Sequence, residues 1–220
     1  MAGKQAQKTN TGKMNQRQML LIGAVVLIVI ALAVGAVMFF GGEKEAPAGD
    51  AAISGTYYVE IDVKDVGVII AELYADKAPI TVQNFLKLVD EKFYDGLTFH
   101  RIIDGFMVQG GDPLGNGYGG SEVNIKGEFI QNGVNNDLKH VRGVLSMARS
   151  AEPDSASSQF FIMHQAATHL DGAYAAFGKV ISGIEVVDAL CKNTPVQDYN
   201  GTVAKADQPV ITAIRRIDKP

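Results

Sequence analysis

The sequence lacks several of the motifs and residue pairs on which metal, nucleophilic and phosphate-binding sites depend. Cys191 is the single cysteine among 220 residues, so no disulfide can form within the chain. There is no second cysteine and no His-x-x-x-His pair, and we therefore predict no metal site and no cofactor. The sequence has no Gly-x-Ser-x-Gly turn, which argues against a serine hydrolase, and it has no phosphate-binding loop. We expect Cys191 to be a small buried side chain on a helix.

Charge is divided unevenly along the chain. Residues 1–42 contain no acidic residue but four basic ones, Lys4, Lys8, Lys13 and Arg17. The rest of the chain carries all 24 Asp and Glu residues against the other 16 of the 20 Lys and Arg residues. Because a nucleic-acid-binding domain needs a basic face, this acidic body predicts no nucleic-acid partner.

The basic tail leads into a long apolar run. Residues 18–42 carry no charged side chain, and as a helix they would extend roughly 37 Å, enough for a hydrocarbon core of about 30 Å. We therefore predict a transmembrane signal anchor at residues 19–40 that holds the protein in the cell membrane. The basic residues should keep residues 1–18 in the cytoplasm, which places the acidic body on the extracytoplasmic side. A cleaved signal peptide is the alternative, but its apolar region usually covers only about 7–15 residues.

The remaining sequence has the pattern of a mainly β domain. A linker rich in Gly, Ala and Pro is predicted at residues 41–55, followed by a domain at residues 56–220. Two stretches with helical spacing predict helices, one from Pro79 with an apolar face that runs to Phe93, the other from a capping box of Ser182 and Glu185. Eight short apolar or alternating runs predict strands at residues 57–63, 66–73, 98–102, 106–109, 143–147, 160–163, 177–180 and 210–217. This pattern favours a closed or sandwiched antiparallel β fold without choosing between them.

The segment from Phe99 to Asp112 is the most informative part of this domain. It places Arg101, Phe106, Met107 and Gln109 on two short apolar runs joined by an Asp-Gly turn. A fixed cation therefore lies beside an apolar surface and an amide, and no nucleophile is present. Such a set of side chains suits a conformational reaction better than one that breaks bonds.

This segment closely resembles the signature of the cyclophilins, the peptidyl-prolyl cis/trans isomerases. Four further blocks follow the family's order, at residues 72–79 with Asn84-Phe85, 143–148, 158–162, and 170–172 with 177–180. Their spacing is similar to that of the compact bacterial branch. The resemblance implies a closed eight-stranded antiparallel barrel capped by two helices, with a groove for proline-containing polypeptides on its outer face.

The resemblance also implies which residues form the groove. Arg101 is the implied catalytic residue. The implied substrate-binding residues are Phe106, Met107, Phe161 and Leu170 in the proline pocket, with Gln109, Ala148, Gln159, His169 and Tyr174 around it.

The chemistry of Xaa-Pro bonds explains an arginine at this position. Partial double-bond character gives the peptide bond a barrier of about 18–20 kcal/mol, and unaided Xaa-Pro isomerisation takes tens to hundreds of seconds. Rotation frees the nitrogen lone pair, so a donor aimed at that nitrogen stabilises the twisted state more than the planar one. Given the predicted location, the substrates are expected to be exported proteins that need help in folding. The alternative is a tethered chaperone or binding module that docks proline segments without turnover.

Three positions depart from the family's pattern. His169 stands where many members have a tryptophan that contacts cyclosporin, so weakened cyclosporin sensitivity is expected. Tyr174 replaces a frequent histidine, and its phenol can still line the pocket and donate a hydrogen bond. Arg149 replaces a frequent asparagine and is expected to add a cation at the groove edge.

Overall fold

The structure, a computed structural model, describes residues 53–220. The predicted basic tail at residues 1–18, the predicted transmembrane helix at 19–40 and most of the predicted linker at 41–55 lie outside the described residues. Within the described part, no helix has the length and apolar character needed to cross a membrane. At the start of this part, Ile53 packs against the core and Gly55 donates a backbone hydrogen bond of 2.8 Å to Asp76.

The domain is mainly β, with one eight-stranded antiparallel sheet and two α-helices. The spatial order of the strands is β3-β4-β6-β5-β7-β2-β1-β8, and each predicted strand and helix is present. The strands are β1 (Thr56–Val63), β2 (Gly67–Tyr74), β3 (Thr98–Ile103), β4 (Met107–Asp112), β5 (Val144–Met147), β6 (Phe160–Met163), β7 (Ala176–Ser182) and β8 (Ile211–Ile217). The helices are α1 (Pro79–Asp90) and α2 (Ile184–Asn193), with short 3-10 turns at Ile130–Asn132 and Thr168–Leu170.

The two end strands of the sheet, β3 and β8, meet at a single point. The backbone N–H of Phe99 donates to Pro209 at 2.9 Å, and that of Ile211 donates to Leu97 at 2.8 Å. Longer antiparallel ladders, four of them with a bulge or register shift, join the other neighbouring strands. The resemblance implies a closed barrel. Among the described residues, only this short contact joins the two end strands.

Helix α1 is shorter than its apolar periodicity predicts. It begins at Pro79, whose fixed φ suits the first helical turn, and buries Val82, Phe85 and Leu86 against the sheet. It ends at Asp90, because Lys92 takes a positive φ of 57° that stops the helix. The predicted extension to Phe93 is therefore wrong, and that side chain packs against the core from the following turn.

The predicted capping box of α2 is also wrong. Ser182 is the last residue of β7, and the N-cap is Gly183 with a φ of 81° and no side-chain cap bond. A Cβ at Gly183 would lie 2.0 Å from the carbonyl oxygen of Val68, so the tight approach to β2 requires glycine. Cys191 is buried on α2 as predicted, and burial raises the pKa of its thiol to about 12.

The sheet separates two apolar clusters. The larger one is the core, in which the rings of Phe85, Tyr94, Phe160 and Phe177 pack together. The smaller one is a distinct cluster built around Met107, Phe161 and Leu170, among others. Because successive side chains of a strand point to opposite faces, neighbouring residues of β6 supply both clusters, with Phe160 in the core and Phe161 in the smaller cluster. The smaller cluster forms the apolar part of the candidate site.

Candidate active site

The candidate site lies across four adjacent strands, β3, β4, β6 and β5. Arg101 pairs with Gln109, Gln109 pairs with Phe161, and Phe161 pairs with Ser146. Residues directly opposite one another in antiparallel strands share a face of the sheet. The register therefore brings the cation, the amide and the aromatic ring into one row.

Arg101 is held by three hydrogen bonds. Its Nε donates to the carbonyl oxygen of Asn200 at 2.8 Å, one Nη2 hydrogen to the Asn200 side chain at 3.1 Å, and one Nη1 hydrogen to Oε1 of Gln109 at 3.2 Å. A guanidinium has five N–H groups, so two of them have no partner within residues 53–220. Burial lowers the pKa of Arg101, and nearby Tyr174 and Asp198 oppose that effect. The group stays charged at working pH.

A relay of side-chain amides extends from this arginine. Nε2 of Gln109 donates to Oε1 of Gln159 at 2.9 Å. Nε2 of Gln159 in turn donates to the carbonyl oxygens of Gly117 and Gly119 at 3.1 and 2.7 Å. The relay fixes the orientation of both amides, because each amide oxygen must accept and each amide nitrogen must donate. It also ties the glycine-rich loop at residues 115–120 to the arginine.

The smaller apolar cluster lies on the same face of the sheet as Arg101, and its exposed side is called the depression below. Six of the predicted groove residues belong to the smaller apolar cluster or pack directly against it: Phe106, Met107, Ala148, Phe161, Leu170 and Tyr174. Met107, Phe161 and Leu170 are buried, whereas Phe106, Ala148 and Tyr174 are half-buried and form its open side. A donor-free apolar slot of this kind suits a flat pyrrolidine ring.

Aromatic and cationic stacking holds the rim of this depression. His169, which is exposed, stacks on Phe106 with ring centroids 5.8 Å apart. Tyr174 meets Phe161 edge-on at 6.1 Å. The guanidinium of Arg149 lies 4.7 Å from the Tyr174 ring centre and donates to the carbonyl oxygen of Ala173 at 2.9 and 3.1 Å. Arg149 thus holds the Tyr174 segment in place in addition to contributing a positive charge.

A buried Ser–His–Asp array supports the depression from below. Nε2 of His140 lies 3.0 Å from Oγ of Ser146, and its Nδ1 lies 3.2 Å from Oδ1 of Asp171. This arrangement resembles a hydrolase triad, but Ser146 is 0% exposed and His140 is 1% exposed, so no substrate can reach the hydroxyl. The His140 ring stacks on Phe161 at 6.1 Å. The array therefore positions the pocket ring and is not a nucleophilic site.

Comparison with known proteins decides the family. The model of the cyclophilin type peptidyl-prolyl cis-trans isomerase/CLD family matches residues 58–215. The chain belongs to the cyclophilin family. It is 52% identical over 114 residues to peptidyl-prolyl cis-trans isomerase B of Bacillus subtilis, covering 52% of this chain and 76% of the relative. It is 43% identical over 155 residues to the peptidyl-prolyl cis-trans isomerase of Acinetobacter baylyi, covering 66% and 78%.

A solved cyclophilin agrees with the fold. The crystal structure of a Cryptosporidium parvum cyclophilin type isomerase, determined in the presence of the dipeptide Ala-Pro, is 34% identical. It superposes with a TM-score of 0.65 and covers 74% of this chain and 99% of that one. The cyclophilin described here is accordingly a peptidyl-prolyl cis-trans isomerase.

The structure brings all ten predicted site residues to one region of this cyclophilin. Arg101, Gln109 and Gln159 form its polar relay, and the other seven form or border the apolar depression. Sequence reasoning missed Asn200, which makes two of the three bonds to Arg101. The only signal in the sequence was an Asn-Gly pair at residues 200–201, which marks a turn but not its partner.

Proposed function

We propose that Arg101 is the catalytic residue of this isomerase and that the adjacent depression binds the proline ring. The observation that supports the proposal is the anchored guanidinium, which keeps two N–H groups without a partner within the described residues, next to an apolar slot. In the twisted transition state, the proline nitrogen gains a lone pair that accepts a hydrogen bond. A donor to that nitrogen stabilises the transition state selectively and lowers the rotation barrier.

The remaining groove residues contact different parts of the substrate. Phe106, Met107, Phe161 and Leu170 surround the ring, and burial of this apolar surface keeps the proline fixed while the preceding residue rotates. Gln109 either bonds the substrate backbone or holds Arg101, and Ala148 and Gln159 border the peptide path. The related structure with Ala-Pro supports proline-containing peptides as the substrate class.

Isomerisation of an Xaa-Pro peptide by the full-length protein tests the catalytic role. A hydrogen bond to a charged group contributes about 1.5–3 kcal/mol, so Arg101→Ala should lower kcat/KM by roughly 10- to 150-fold. Arg216→Ala is the matched control, since that exposed arginine only pairs with Asp90 at 2.9 Å. Equal rates for Arg101→Ala and the wild type would contradict the assignment. Retained peptide binding by the inactive variant would separate catalysis from docking.

We propose further that the protein is anchored in the cell membrane and acts on exported chains. The support is the charge-free run at residues 18–42 behind four basic residues and ahead of an acidic body. Such a tether would place the groove outside the cytoplasm, where exported proteins emerge unfolded. The block spacing and the Bacillus subtilis relative support a place in the bacterial-like branch.

Protease treatment of intact cells tests the anchor and its sidedness together. The isomerase domain should be degraded once the outer surface of the membrane is accessible, while an epitope placed within residues 1–18 stays protected. Membrane extraction at high pH should leave the full chain in the membrane fraction. A variant that lacks residues 19–40 is the control and should be released. A protected domain or an alkali-soluble full chain would contradict the proposal.

A further inference from the structure

Three potential metal ligands meet beside the turn that carries the proline pocket. Asp104 lies in the turn between β3 and β4, His164 follows β6, and Cys191 lies on α2. One ligand atom from each lies within 4.8 Å of the others, and Nδ1 of His164 is 3.3 Å from Oδ1 of Asp104. We propose that these three side chains bind a divalent transition-metal ion, for which Zn²⁺ is the best match.

The donor set selects the class of ion. Thiolate, imidazole and carboxylate are the three side-chain types that bind Zn²⁺, whereas Mg²⁺ and Ca²⁺ prefer oxygen ligands throughout. Tetrahedral ligands at 2.0–2.3 Å from Zn²⁺ are roughly 3.3–3.8 Å apart, so ligand atoms that lie up to 4.8 Å apart must approach by about 1 Å. The Asp104 side chain is 78% exposed and can move inward. Water would take the fourth position.

The hydrogen bonds of His164 prepare it as a ligand. The backbone N–H of Gly105 donates to Nδ1 at 2.9 Å, so Nδ1 carries no proton and Nε2 does. Nε2 lies 3.0 Å from Oδ1 of Asp188, which Arg142 holds with bonds of 2.7 and 2.8 Å. A carboxylate behind the imidazole is the usual outer partner of a metal-bound histidine. Nδ1 also lies 3.3 Å from Oδ1 of Asp104, so an ion bound between these groups would take the lone pair that now accepts from Gly105.

The local charge favours a cation. Asp104 and Asp188 bring two carboxylates to this cluster, and Arg142 is the cation paired there. On binding, the Cys191 thiol gives its proton to solvent and the sulfur bonds the ion as a thiolate. The ion replaces the Gly105 N–H as the partner of Nδ1.

The site is connected to the groove through the β3–β4 turn. Gly105 precedes Phe106, whose carbonyl oxygen accepts a bond of 2.9 Å from the backbone N–H of His164. An ion that pulls Asp104 inward and breaks the Gly105–His164 bond moves the turn that carries Phe106. Bound Zn²⁺ should therefore raise the KM for an Xaa-Pro peptide several-fold.

Cobalt titration of the untagged full-length protein, stripped of metal with a chelator, tests the site. Co²⁺ should bind one to one with a thiolate-to-metal charge-transfer band, which can arise only from Cys191 because the chain has no other cysteine. Zn²⁺ should displace it. Cys191→Ser and His164→Gln should abolish the band, and Asp188→Asn should weaken binding by about 10- to 100-fold. Glu152→Gln, which changes an exposed acid on another loop, should bind as the wild type does.

Two results would overturn the site: no charge-transfer band at one equivalent of Co²⁺, or equal Zn²⁺ affinity of Cys191→Ser and the wild type. Circular dichroism of the metal-free variants checks folding, and the exposed Asp104→Asn, expected to weaken binding at least tenfold, tests the site without disturbing the core. A KM that is unchanged by Zn²⁺ would overturn the connection to the groove. Metal binding is read spectroscopically, so its outcome does not depend on the isomerase assignment.

Discussion

Asn200 holds Arg101 with both its backbone and its side chain. The carbonyl oxygen accepts from Nε at 2.8 Å and Oδ1 accepts from Nη2 at 3.1 Å. The pairing of Ile102 N–H with the carbonyl oxygen of Gly201 at 2.8 Å fixes this segment along β3. A Cβ at Gly201 would lie 2.2 Å from that strand's Ile102 oxygen, so only glycine allows this approach. The turn at residues 198–201 therefore sets the direction of the guanidinium.

Removing the Asn200 side chain should reduce catalysis without removing the charge. Asn200→Ala loses one exposed bond to the guanidinium while the backbone bond to Nε remains, so only about 0.5–1.5 kcal/mol of the value for a charged group should be lost and kcat/KM should fall roughly 2- to 10-fold. Because Asn200 acts through Arg101, the fall should appear in kcat more than in KM, measured with an Xaa-Pro peptide. Asn193→Ala, at the exposed end of α2, is the control. An unchanged kcat would show that the Asn200 backbone bond and the Gln109 bond are enough to orient Arg101.

Tyr174 should contribute its ring and not its hydroxyl. The ring meets Phe161 edge-on and lies under Arg149, while the hydroxyl donates no hydrogen bond within residues 53–220. Tyr174→Phe should therefore keep KM within about twofold. Tyr174→Ala should raise KM roughly 2- to 10-fold, because an aromatic pair contributes about 0.5–1.5 kcal/mol beyond its buried area. A large loss in the phenylalanine variant would instead indicate a hydrogen bond from the phenol to the substrate.

His169 should weaken the response to cyclosporin. The imidazole stacks on Phe106 at the rim of the depression, at the position where the resemblance to cyclophilins implies a tryptophan in many members. His169→Trp should lower the inhibition constant by at least about tenfold, because a larger ring and an indole N–H add both apolar contact and a hydrogen bond. Inhibition of the isomerase by cyclosporin provides the measurement. Nanomolar inhibition of the wild type would contradict this expectation.

The fold and the groove could be predicted because their signals are local or carried by contiguous blocks. Arg101 and Gln109 belong to one hairpin, so their pairing follows from the short turn between β3 and β4. Asn200 could not be predicted as a partner of Arg101, since 99 residues separate them and only the folded chain brings them together.

Local rules failed where tertiary contacts compete with them. The Ser182 capping box has the right spacing, but the closeness of Val68 makes Gly183 the N-cap instead. The absence of paired metal ligands in the sequence also concealed the cluster of Asp104, His164 and Cys191, because these residues come from three separate elements.

Two buried histidines should make the domain sensitive to mild acid. Burial lowers the pKa of His100, an effect that Asp112 opposes and that Arg101 and Lys205 reinforce. Burial also lowers the pKa of His140, against the opposing effect of Asp171. Below the unfolded-state pKa of about 6.5, the unfolded chain binds more protons than the folded one. The free energy of unfolding should therefore be highest above that pH and should fall as the pH drops towards the folded-state values.

A single substitution measures how much His100 contributes to this loss of stability in acid. The residue is 4% exposed, and neither ring nitrogen has a hydrogen-bond partner among the described residues. His100→Gln thus removes the titrating group without removing a hydrogen bond. Thermal unfolding followed between about pH 7.5 and 5.5 should show a smaller decrease of Tm in this variant than in the wild type. Parallel Tm curves for the two proteins would mean that protonation of His100 does not lower the free energy of unfolding. Of the two histidines, only His140 would then account for the acid sensitivity.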